Sequence, residues 1–132
     1  MTTLLIKTPK FRMWLDDDGI IVIEACLPNV EIDLEDARQV TAAGASLSLS
    51  QGGKYPLLGD ARGLKSITRE ARQHLASRVV LTETPAMAAV VDSPISRILI
   101  NFLITVSKPQ TTARIFTSRE EAHTWLKGYA DK

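Results

Sequence analysis

Four short apolar runs, Ile20 to Leu27, Tyr55 to Gly59, Met87 to Val91 and Ala113 to Phe116, are each followed by a segment with helical spacing. Short apolar strands alternating with amphipathic helices restrict a chain to a mostly parallel sheet with right-handed crossovers. An earlier run, Phe11 to Leu15, leads into Asp16-Asp17-Asp18-Gly19. Asp-Gly supplies the positive φ angles of a tight hairpin turn, which predicts an antiparallel strand beside the first parallel one. The expected class is therefore α/β, a mostly parallel four- to five-stranded sheet with an N-terminal antiparallel hairpin strand. The element order reads β, β, α, β, α, β, α, β, α. At 132 residues the chain fits one domain, with a core from about 11 to 129.

The helix ends carry their own signals. Asp33 is a capping residue, and Glu35 and Asp36 behind it suit the positive end of a helix dipole. That helix is expected to fray near Gly44, ahead of a turn at Gln51-Gly52-Gly53. A second helix starts near Thr68 and turns Ala71, Leu75 and Val79 inward. Ser93-Pro94 opens a third, since serine caps and proline is already set for helical φ. In it Ile95, Ile98, Leu99, Phe102, Leu103 and Val106 form a stripe towards the sheet, up to the stop at Lys108-Pro109. Ser118 and Glu121 form a capping box before a last helix with Ala122, Trp125, Leu126 and Tyr129 inside.

Several functions are excluded on composition. A net charge of +1, 5% aromatic residues and no aromatic-basic interleaving argue against nucleic acid. The first 53 residues hold 4 basic and 8 acidic side chains and residues 54–114 hold 9 and 4, which reads as two solvated faces. The single Cys26 and the dispersed His74 and His123 make no metal site, and no cofactor is expected. The triple Asp lacks the Glu that closes an EF-hand loop, so it reads as a solvated turn. The longest apolar stretch, Ile95 to Val106, is broken by Arg97 and Asn101 and is shorter than the ~20 residues of a membrane span. With no secretory h-region, the expected location is cytoplasmic.

Catalytic sets are missing as well. There is no Gly-x-Ser-x-Gly, and Gly52-Gly53-Lys54 lacks the upstream glycine and following hydroxyl of a P-loop. Neither histidine has a visible nucleophile or orienting acid, so no catalytic residue is assigned and no enzyme is expected. Binding is the remaining class, and in a parallel sheet ligands bind at the carboxyl edge of the strands. The loops at that edge are Leu27 to Ile32, Asp60 to Ile67, Asp92-Ser93-Pro94 and Thr117-Ser118. Asp60, Arg62, Lys65, Asp92, Ser93 and Arg97 are the candidate residues there, for a protein partner or a small anion. The plainer reading has Asp60 binding amides of its own turn while the cations stay solvated. On the third helix Ile100 and Ile104 point away from the stripe and are expected in a homodimer interface; a neighbouring helix or a lipid are the other occupants.

Val30 to Ala37, Tyr55 to Ser66 and Val91 to Arg97 resemble segments of small bacterial proteins of unknown function with the SpoIIAA-like, or STAS/SEC14-like, fold. The resemblance implies the fold without implying an activity. STAS anti-sigma-factor antagonists carry Asp-Ser-Ser-Gly-Leu after the third strand, and their serine before the glycine is phosphorylated. Here the stretch reads Asp60-Ala61-Arg62-Gly63-Leu64, so an arginine occupies the phosphoserine position. The phosphorylatable serine is thus missing, and the expected role, from the STAS-like order and the missing catalytic sets, is a non-enzymatic regulatory or interaction module, with an anion- or lipid-binding protein as the alternative.

Overall fold

A computed structural model of the chain describes residues 5–26, 29–51, 55–77, 85–107 and 112–130. Six strands form the main sheet: β1 (Leu5–Lys7), β2 (Phe11–Leu15), β3 (Ile21–Ala25), β5 (Leu57–Asp60), β7 (Ala86–Val90) and β8 (Thr112–Phe116), in that spatial order. The first three are antiparallel, and β3, β5, β7 and β8 run parallel, as the alternating pattern demands. The helices are α1 (Leu34–Gln51), α2 (Arg69–Ser77), α3 (Pro94–Ser107) and α4 (Arg119–Ala130).

Period-two alternation sends neighbouring residues to opposite faces of the sheet. Val22, Leu58, Ala88 and Val90 pack with Ala122 and Leu126 of α4 on one face, and Trp14, Phe116, Trp125 and Tyr129 border that cluster. Met13 and Ile21 pack with Ala43 and Leu47 of α1 on the other. A third cluster joins α1, α2 and α3 through Ala37, Leu64, Ile67, Ala71, Leu99 and Ile100.

Four expectations need correction. The segments read as loops contain strands: β4 (Val30–Ile32) pairs in parallel with β6 (Leu64–Ile67) as a separate two-stranded sheet. Helix α1 does not fray at Gly44, because Leu47, one turn further on, is fully buried and holds the chain helical to Gln51. In the Asp16–Ile20 hairpin only Gly19 has positive φ, at 78°, while Asp16 Oδ1 accepts the amides of Asp18 and Ile20. The turn is therefore longer than the two-residue form. Finally, α3 is rotated from its predicted orientation: Ile95 and Ile98 are 56% and 66% exposed, and Ser96 is fully buried. The cause is the cap, where the Ser96 hydroxyl accepts the amides of Asp92 and Ser93 and donates to the Ser93 carbonyl. Leu99 and Ile100, one turn on, follow Ser96 inward. Val79, Gly52-Gly53, Lys108-Pro109 and the side chains of Phe102, Leu103, Ile104 and Val106 lie outside the described residues.

The start of α1 is fastened twice. Asp33 Oδ1 accepts the Asp36 amide and Asp36 Oδ2 accepts the Asp33 amide, a reciprocal cap at 2.9 Å each way. Lys10 then donates to Asp36 at 2.7 Å and to the Glu31 carbonyl at 2.6 Å. Burial raises the Asp36 carboxyl, but the Asp33 amide and the Lys10 ammonium outweigh it and leave it below its ordinary range.

Candidate functional site

At the carboxyl edge of the parallel strands five charged side chains form an alternating chain. Arg12 and Glu24 are cross-strand partners in register, and Arg12 Nη2 lies 2.8 Å from Glu24 Oε1. Glu24 of β3 is in register with Asp60 of β5, so pairing sets two carboxylates side by side on the α4 face. Arg119, the first residue of α4, bridges them: its Nη1 is 2.7 Å from Glu24 Oε2 and 3.3 Å from Asp60 Oδ2. Arg62 closes the chain with two donors on Asp60, Nε to Oδ1 at 2.9 Å and Nη2 to Oδ2 at 2.6 Å.

The turn geometry makes this fork local. Leu64 donates its amide to the Ala61 carbonyl, Gly63 sits at φ 83°, and the Arg62 amide donates to Asp60 Oδ1. A side chain at Gly63 would be strained by that φ, which accounts for glycine there. Burial pushes the Asp60 carboxyl up, but hydrogen bonds from Arg62 and the charges of Arg62 and Arg119 hold it below its ordinary value. Asp60 in turn raises the Arg62 guanidinium above its own, with Asp92 and Glu24 adding to the effect. A free anion would have to displace Asp60 from Arg62.

The predicted residues fall into three groups. Asp60 and Arg62 are in contact, and Asp92 is close enough for its charge to act on Arg62. Lys65 is exposed on β6 with Glu31 4.0 Å away. Ser93 is the cap of α3, its hydroxyl accepting the Ser96 amide at 3.1 Å, and Arg97 is exposed one turn beyond. Arg12, Glu24 and Arg119 were missed in the sequence; the only signal was the placement of Arg119 directly after the Ser118 cap. Of the residues assigned to a dimer face, Ile100 is half-buried against the α1–α2–β6 cluster, and the Ile104 side chain lies outside the described residues. Among the described residues, the exposed large apolar side chains on α3 are Ile95 and Ile98. An open groove of about 430 Å³ lies elsewhere, between the β1–β2 connection and α1, with Ile6, Pro9, Ala42 and Ala43 in its lining. Among the described residues no helix is long and apolar enough to cross a membrane.

Among solved structures the chain is similar to an uncharacterized protein of the DUF3478 family with a SpoIIAA-like fold from Shewanella loihica PV-4. The TM-score is 0.63 at 14% identity, over 95% of this chain and 92% of that one. It is also similar to the anti-sigma factor antagonist SpoIIAA in its unphosphorylated form, with a TM-score of 0.56 at 15% identity, over 96% of this chain and 99% of that one. At such identities the likeness shows the fold, and the expected SpoIIAA-like architecture stands. No curated protein matches the chain in sequence. A family model described as a domain of unknown function, DUF7793, matches residues 13–130, and the chain belongs to that family.

Proposed function

We propose that the protein is a non-enzymatic regulatory module that binds a protein partner through the carboxyl-edge loops and the first turns of α3. The observation that carries this reading is the exposed pair Ile95 and Ile98, 56% and 66% accessible, immediately after the Asp92-Ser93 loop. Apolar contact beside a charged rim is the composition of a protein-binding patch, with a dry centre and a polar border. Similarity to SpoIIAA, an anti-sigma factor antagonist, supports the same class.

Arg62 gives the module a fixed state. It stands where the resembling antagonists carry their phosphorylated serine, and Asp60 holds its fork, so this position offers a constant turn rather than a switched one. The test is affinity capture with the immobilised chain, followed by titration of the captured protein. Ile98→Asp is expected to abolish binding and Arg62→Glu to weaken it, both with unchanged circular dichroism. Equal binding by wild type and both variants would reject the rim as the docking surface.

A further inference from the structure

The Asp16-Asp17-Asp18-Gly19 turn reads from sequence as solvated because the Glu that closes an EF-hand loop is missing, and the turn alone offers only oxygen ligands. Folding adds a nitrogen. His123 of α4 brings its Nε2 to 2.9 Å from Asp16 Oδ2 and 3.4 Å from Asp18 Oδ2, across 107 residues of chain from Asp16. The three ligand atoms all lie within 4.8 Å of one another. We propose that Asp16, Asp18 and His123 form a binding site for a divalent transition metal of the zinc class.

Three features carry the assignment. Ligands ~2.1 Å from a common tetrahedral ion stand about 3.4 Å apart. The two His–Asp separations are close to that edge, so an ion fits with small movements of exposed or half-buried side chains. Second, Asp16 is already oriented: its Oδ1 accepts the amides of Asp18 at 2.9 Å and Ile20 at 3.0 Å, which leaves Oδ2 aimed at the ring. Outer hydrogen bonds of this kind fix a ligating carboxylate. Third, an imidazole Nε2 carries at most one proton and can donate squarely to one carboxylate at a time. Two carboxylates face it here, and a dication satisfies both while taking the ring nitrogen as a third ligand. The nitrogen donor selects zinc, cobalt, nickel or copper over calcium and magnesium, which prefer oxygen. Asp18 is exposed, so the remaining coordination position opens to water. The ion would tie the β2–β3 turn to α4, at the end of β3 opposite Glu24.

Calorimetric titration of the chelator-treated full chain with zinc chloride tests this, alongside thermal melts with and without the ion. The expected result is one equivalent bound and a rise in Tm. His123→Gln and Asp18→Asn should each weaken binding by at least about tenfold, the range seen even for outer-shell changes. Cys26→Ser should bind as wild type does, which separates this site from the lone thiol. Should His123→Gln fail to fold, Asp18→Asn decides, because that side chain is 46% exposed. No saturable binding by wild type, or undiminished binding by Asp18→Asn, overturns the assignment.

Discussion

Asp60 shows how a carboxylate can be nearly sealed from water and still ionised. Its side chain is 8% exposed, yet two guanidiniums and one amide reach it. The Arg62 and Arg119 side chains are 45% and 32% exposed, so screening reduces what the pairs contribute. Asp60→Asn is expected to lower the unfolding free energy by about 1–2 kcal/mol at neutral pH, measured by urea titration. The pH dependence follows in sign from the depressed value. A carboxyl held lower in the folded state than in the unfolded chain contributes fully above ~3.9, and the contribution is lost as pH falls through the folded value. The gap between wild type and Asp60→Asn should therefore stay level from neutral pH down to about 5 and close below about 4. A gap that widens on acidification would contradict the assignment. Asp60 and Arg62 were legible in the sequence because they share one turn. Glu24 and Arg119 were not, since strand register and the α4 cap bring them in from 36 and 59 residues away.

At the scale of elements, caps and apolar periods located the four helices of the described residues, and the residues that failed were those where burial and local signal disagree. Gly44 reads as a helix end, but Ala43 and Leu47 lie on the buried face of α1, and their burial outweighs the roughly 1 kcal/mol that an interior glycine costs. Leu47→Ala is accordingly expected to cost about 2–5 kcal/mol, against about 1 kcal/mol for loss of the cap in Asp33→Ala. Parallel chemical denaturation of the two variants checks the order, and a milder effect for Leu47→Ala would mean that α1 ends earlier. Strands β4 and β6 escaped notice because three and four residues flanked by turns carry too little alternation to read. Their pairing is specified by partners some 34 residues apart, through contacts such as Val30 opposite Leu64. Helix α3 fails differently. So many of its positions are apolar that the wheel admits more than one inward face, and the hydroxyl of Ser96, drawn inside by the Asp92-Ser93 loop, selects among them.

For the whole molecule that choice decides which surface is left to meet other chains. The sheet has α1 on one face and α4 on the other, and the face of α3 that carries Ile95 and Ile98 is turned away from the α1–α2–β6 cluster. A stable interface needs ~800 Å² from each partner, and among the described residues this face offers two exposed isoleucines, far less than that. Self-association through this face is therefore expected to be weak, with sedimentation shifting from monomer to dimer as concentration rises. Ile98→Asp should remain monomeric over the same range with an unchanged Tm, because the added charge stays in water. Ile100→Asp should behave in the opposite way and lose stability, since it carries a carboxylate into the cluster of Leu64, Ile67 and Ala71. The pair of variants separates surface from core: if Ile100→Asp melts like wild type while Ile98→Asp unfolds, α3 faces the other way and the interaction surface assigned here is lost with it.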